Sequence, residues 1–148
     1  MEYIPISPQA GDEIRFASLR RRLVVVFYDA LLLAALLLVA GFAYIPIFGA
    51  VQSGFQKAVF QLYLLIVVGM YFVIFWSRGG QTLAMKTWRI RLVMADGRAV
   101  PVSRCVLRFV LASAGLLAVG AGYLWALFDR DRQFLHDRIV QTRIINTN

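Results

Sequence analysis

Three long apolar runs, separated by shorter polar stretches, set the plan of this chain. The first, Leu23 to Phe42, reads LVVVFYDALLLAALLLVAGF and holds one charge, Asp29. After a loop with Pro46 and Gly49 comes Ala58 to Trp76, broken only by Gln61 and Gly69. An α-helix of about 20 apolar residues crosses the hydrocarbon core of a bilayer, so both runs read as transmembrane helices. The length of the first run and its Asp29 disfavour the alternative of a cleaved signal peptide. The third run, Phe109 to Phe128, carries Gly115, Gly120 and Gly122 and supports two readings. Ala114, Ala118 and Gly122 recur every four residues, the small-residue face that lets membrane helices pack closely. Alternatively, the glycines loosen a broken or re-entrant segment.

The polar stretches change period. Thr87 to Met94, TWRIRLVM, alternates Trp88, Ile90 and Leu92 with Arg89 and Arg91, and Ala95-Asp96-Gly97-Arg98 supplies turn residues before Ala99 to Val102. That pattern predicts a β-hairpin. Arg138 to Ile145 is rich in β-branched residues and predicts a third strand if it lies on the same side, since an isolated hairpin is only marginally stable.

Charge decides the sides. Arg15, Arg20, Arg21 and Arg22 precede the first run, Lys57 alone lies in the first loop, and Arg78, Lys86, Arg89, Arg91, Arg98 and Arg104 fill the second. Basic residues stay cytoplasmic, which puts the N-terminus and second loop inside. Three straight spans then leave Arg130, Arg132, Arg138 and Arg143 outside, whereas a third segment that dips in and returns keeps them inside. The expected fold is therefore a mainly α membrane protein: two transmembrane helices, a third Gly-containing segment (spanning or re-entrant) and a small cytoplasmic β-hairpin cap. A single domain covers residues 1–148, with a polar tail over 1–19, membrane segments near 23–42, 58–76 and 109–128, a cytoplasmic loop over 77–105 and a C-terminal tail over 129–148.

Composition agrees with a bilayer environment, because 60% hydrophobic residues exceed what 148 residues can bury in a soluble core. The net charge of +8 would suggest nucleic acid in a soluble protein. Here the basic residues cluster at the ends of apolar segments, and no aromatic-basic nucleic-acid motif is present. Cys105 is the single cysteine, which excludes an intrachain disulfide and a cysteine metal cage.

The candidate chemistry starts at Asp29. A carboxylate at membrane depth costs on the order of 3 kcal/mol and calls for a partner. Arg22, seven residues earlier, lies about 10 Å away along the helix and is expected to snorkel toward the headgroups. Arg108 enters the third segment at a similar shallow depth and is the expected partner. The pair is either a structural ion pair that fixes helix register or a switch in which a mobile Arg108 tunes the proton affinity of Asp29. Tyr28 and Gln61 are candidate polar neighbours. His136-Asp137 invites a metal-hydrolase reading, but His136 is the only histidine and a metal site draws on several such ligands. Asp137 is expected instead to clasp the tail through the backbone, Thr142 or a base such as Arg22.

Gly80 to Thr87, GQTLAMKT, approaches the phosphate-binding loop pattern, yet Met85 stands where the second glycine belongs and a strand is expected to follow. Nucleotide binding is discarded. Arg78, Lys86, Arg89 and Arg91 read as a patch against anionic lipid headgroups, each contributing about 1 kcal/mol near the surface. No paired carboxylates, activated nucleophile or cofactor fingerprint emerges, so neither an enzyme nor a bound cofactor is expected.

Three stretches together carry a family resemblance. Arg22-Leu23 leads to Asp29; Gly80-Gln81-Thr82-Leu83-Ala84-Met85-Lys86 precedes Arg89 to Met94 and Asp96-Gly97; Leu135-His136-Asp137-Arg138 is followed by Thr142. This ordered set, from about Arg20 to Ile145, resembles the RDD family of small bacterial membrane proteins, named for one arginine and two aspartates. Ala84 departs from the family's usual glycine. The resemblance implies localisation in the bacterial inner membrane and one of two roles. One is transport of a small ligand, a cation in some members, coupled to protons; the other is service as a non-catalytic assembly subunit. Three helices cannot surround a pathway alone, so a homo-oligomer or a partner membrane protein is implied.

Overall fold

The computed structural model describes residues 17–118, 120, 124–128 and 133–147. Two long helices dominate. Helix α1 covers Leu19–Phe48, 30 residues, and is opened by Ser18, whose side chain accepts from the Arg21 amide at 3.4 Å. Helix α2 covers Gly54–Gly79, 26 residues. A reciprocal capping box starts it: the Gln56 amide donates to Ser53 Oγ at 3.2 Å and the Ser53 amide to Gln56 Oε1 at 3.0 Å. At 1.5 Å per residue these helices are about 45 and 39 Å long, more than the roughly 30 Å a bilayer core requires. Only 17% of the most apolar stretch of α1 is buried within the chain, and none of that of α2. Both are therefore long and apolar enough to cross a membrane, and neither is the core helix of a soluble domain.

The core lies at one end, where the chain builds a cap. Beyond Gly80 come the short helix α3 (Leu83–Thr87), strand β1 (Ile90–Met94), helix α4 (Val102–Leu117), a 3-10 turn (Trp125–Leu127), helix α5 (Leu135–Val140) and strand β2 (Thr142–Asn146). Strands β1 and β2 pair antiparallel, with Ile90 opposite Asn146 and Met94 opposite Thr142. Ile90, Leu92, Cys105 and Val100 are essentially inaccessible and pack with Trp76, Met85, Val25 and Ile144. The N-terminal end of α1 joins this cap through the Ala17 amide, which donates to the Ile144 carbonyl at 3.0 Å, and Arg21 Nη1, which donates to Asn146 Oδ1 at 3.1 Å.

Three expectations change. The hairpin partner of β1 is not Ala99 to Val102: the turn at Ala95–Gly97 forms, but Pro101 has no N–H for a ladder and instead precedes α4. The tail supplies the second strand. In the third apolar run the helix starts at Val102, ahead of Phe109, and stops at Leu117. Gly120 then takes a left-handed φ of 72°. At 16 residues α4 is about 24 Å long, and the clasp of Arg108 with Asp137 brings the chain back to the end from which α4 departs. The small-residue face does not pack within the chain: Ala114 and Ala118 are exposed, and Gly122 lies outside the described residues. Close approach occurs instead at Gly69 of α2, where a Cβ would stand 3.1 Å from the Phe109 ring of α4.

Gly80 joins α2 to the cap. It adopts φ +67°, and its carbonyl accepts from the Leu92 amide at 2.7 Å, covering the edge of β1 that β2 leaves free. A Cβ there would overlap the Leu92 carbonyl oxygen. Gly80→Ala is expected to cost about 2 kcal/mol or more through left-handed strain and this overlap. A lowered thermal transition of the detergent-solubilised protein checks it, with Gly79→Ala, where a Cβ meets open space, as the reference.

Candidate functional site

Where α1, α2 and α4 meet the cap, buried charged and polar side chains gather around a cavity of about 250 Å³. Asp29, 6% exposed, lies in its wall. The Tyr71 hydroxyl of α2 donates to its Oδ1 at 3.1 Å, and the Thr82 hydroxyl donates to its Oδ2 at 2.8 Å. Thr82 also caps α3, accepting from the Met85 amide at 3.2 Å, so one hydroxyl starts a helix and binds a buried carboxylate. Three segments distant in sequence thus converge on Asp29.

Arg108 does not form the expected pair with Asp29. Its Nε meets Asp137 Oδ1 at 2.7 Å, and its guanidinium carbon lies 4.2 Å above the centre of the Trp76 ring. The reason is topological: α5 returns Asp137 to the first part of α4, where both side chains are desolvated together. Thr142 completes the clasp, its hydroxyl donating to Asp137 Oδ1 at 3.3 Å, as the tail-clasp reading anticipated. Nor does Arg22 snorkel outward. It is 2% exposed, lines the same cavity and donates through Nη2 to the Ile144 carbonyl at 3.4 Å. The cap covers the end of α1 that headgroups were expected to bathe.

The remaining candidates divide. His136 is buried, stacks on the Phe134 ring at 5.4 Å and lines the cavity. Tyr28 lies outside it, exposed and against Trp88 at 6.0 Å. Gln61 is exposed and ten residues from Tyr71, about 15 Å along α2. Arg78, Lys86 and Arg89 are exposed on the cap and Arg91 is half-buried. In the GQTLAMKT stretch, Gly80 ends one helix and Thr82 starts another, a geometry unlike a phosphate cradle. Among the described residues no group of three or more His, Cys, Asp or Glu could hold a metal ion.

Tyr71, Thr82 and Trp76 were missed from sequence. Tyr71 was hidden among the aromatics of an apolar run. Thr82 carried a usable signal, being a hydroxyl residue two positions after the glycine that ends α2, the position of a helix N-cap.

Burial and charge act in opposition on the clasp. Desolvation alone pushes Asp137 up, but the charge and hydrogen bond of Arg108, with the charge of Arg22, hold its carboxyl below the usual carboxylate range. Burial dominates at His136 and brings the imidazole down to about 4 despite the attraction of Asp137. The folded chain therefore keeps His136 neutral while the unfolded chain binds a proton near pH 6.5. Stability is expected to fall between pH 6.5 and 4, by up to about 3 kcal/mol. The contribution of Asp137 is present above pH ~3.9 and is lost only at lower pH. Thermal transitions from pH 7 to 4 check the first window, and His136→Gln is expected to flatten the fall there.

Comparison with protein families matches residues 16–141 to the RDD family. Comparisons with curated proteins and with solved structures return no match. The match covers α1, α2, the cap strand β1, α4 and the clasp at Asp137, so Arg22, Asp29, Arg108 and Asp137 all lie within it. With two apolar helices whose surfaces face outward and a family match over most of its length, this small membrane protein belongs to the RDD family.

Proposed function

We propose that the protein is a multi-pass protein of the bacterial inner membrane that carries a small ligand, a cation or another solute, in step with a proton exchanged at Asp29. One observation carries this reading: a membrane-depth carboxylate, held by two hydroxyl donors, lines a cavity beside two guanidinium groups. Such a residue is costly to keep unless it is used. Tyr71 and Thr82 stabilise its charged form, and rotation of either hydroxyl alters the balance between the charged and protonated states. The role is non-catalytic.

Orientation follows from charge. The cap unites the end of α1 next to Arg20 to Arg22, the basic second loop and the tail strand, so all three are assigned to the cytoplasm. Exposed Arg78, Lys86 and Arg89 then face anionic headgroups. Three helices do not enclose a path alone, which calls for a homo-oligomer or a partner and also supports a second reading, that of an assembly subunit.

Proteoliposomes with a trapped pH dye test the first reading under gradients of sodium, potassium, lithium or glycerol phosphate. At least one gradient is expected to drive proton movement above that of protein-free liposomes. Asp29→Asn, shown to be folded by its thermal transition, is expected to lower that rate at least about tenfold, in line with loss of a required proton carrier. No movement from folded wild-type protein would leave the assembly reading, pursued by crosslinking in native membrane. A reporter fused after Asn148 is expected to score as cytoplasmic.

A further inference from the structure

We propose that the cavity between α1, α2 and α4 binds a single-chain amphiphile, its anionic head held by the terminal nitrogens of Arg108 and its chain lying along the apolar walls. This rests on the ligand-carrying reading above and names the ligand class.

Arg108 is placed as an anion receptor. Asp137 holds its Nε at 2.7 Å, and Trp76 covers one face of the guanidinium at 4.2 Å. These contacts fix the group in space while, among the described residues, no hydrogen bond engages Nη1 or Nη2. A guanidinium held this way offers a planar pair of donors suited to a carboxylate or a phosphate. Asp29 lies on the same wall, held by Tyr71 and Thr82, and the ion pair that Arg108 forms is with Asp137 instead. Arg22 adds a second positive charge to the lining, and His136 is neutral above about pH 4. Among the ligands that the carrier reading admits, the two guanidinium groups on the lining favour an anion over a cation.

The rest of the lining is apolar. Val26, Leu33, Val68, Phe72, Phe109 and Leu116 run away from the cap, and the α1 positions from Arg22 to Leu33 extend about 16 Å. Inorganic phosphate would gain nothing from such walls. Val26 is 42% and Leu116 64% exposed, so the edges of the cavity on α1 and α4 face the bilayer side, from which an amphiphile arrives with its chain already in lipid. About 250 Å³ falls just below the usual range of small-molecule pockets and suits one chain rather than a two-chain phospholipid.

The test measures radiolabelled decanoate bound at equilibrium to the full chain in phosphatidylcholine nanodiscs, with protein-free discs as the baseline. Saturable binding is expected, displaced by unlabelled decanoate and by decyl phosphate. Decanol, decyltrimethylammonium and inorganic phosphate are expected to displace little. The tighter of the two anions identifies the head as carboxylate or phosphate.

Arg108→Lys keeps a charge beside Asp137 but loses the planar donor pair. Ala112→Leu narrows the cavity while keeping both residues of the ion pair. Each is expected to weaken binding about tenfold, equivalent to losing one charge-assisted hydrogen bond or the space for the chain. Thermal transitions establish that both variants are folded. Displacement by decanol as strong as by decanoate overturns the anionic head, and retention no greater than in protein-free discs overturns the inference altogether. Unchanged binding in folded Ala112→Leu overturns the location. Proton movement in the liposome assay is measured independently, so either failure leaves the carrier reading standing on its own result.

Discussion

Everything at the cap end depends on the ion pair between Arg108 and Asp137. Both side chains are almost wholly removed from water, and each alone would be a severe liability in that position. A buried pair of this kind adds little net stability over an apolar replacement, whereas breaking it costs about 3–5 kcal/mol by stranding the remaining charge. Its effect is to fix geometry. Asp137 is on α5 and Arg108 on α4, so the pair holds the returning tail against the base of the third apolar segment. Only with the tail held there can β2 reach β1 and cover the end of α1.

A hierarchy follows in which each buried polar group is satisfied by an element that another contact has positioned. Thr82 reaches Asp29 because Gly80 reverses the chain at the end of α2, and Gly80 is itself held by the Leu92 amide of β1. Strand β1 persists because β2 pairs with it, and β2 is in place because the clasp holds α5. The cavity is what remains where α1 and α4 flank α2 beneath this roof. Its polar end is a by-product of satisfying the cap, and its apolar end a by-product of helices built for lipid.

The sequence discloses some layers of this arrangement more readily than others. The long helices were legible because twenty-residue apolar runs admit few other structures. The cap was legible in outline from period-2 alternation and from arginine counts on both polar stretches. Strand pairing was not: Ala99 to Val102 and Thr142 to Asn146 have similar β character, and only the obligation of Pro101 to break a ladder distinguishes them. Asp29 was legible as a site because a charge in an apolar run stands out. Its partners were not, because Tyr71 and Thr82 are ordinary residue types whose roles arise only when α2 and α3 are placed beside α1. The Arg108 partnership failed for a related reason, since depth along a helix identifies neighbours poorly when a later segment folds back.

The antiparallel pairing of β1 with β2 also sets an order in time. Asp29 leaves the ribosome 53 residues before Thr82, and Arg108 leaves 29 residues before Asp137. At about 5–20 residues per second, Asp29 waits roughly 3–11 s for its second hydroxyl donor. During that interval the Asp29 carboxylate is incompletely satisfied. Strand β2, made after the segments it pairs with and covers, therefore completes the enclosure of α1, and a chain that stops short of Thr142 leaves an open strand edge at β1 and an Arg22 without the Ile144 carbonyl as acceptor. The enclosure of α1 thus closes only once β2 has been made, which gives a cell's quality-control machinery a physical difference between chains that have paired their strands and chains that have not.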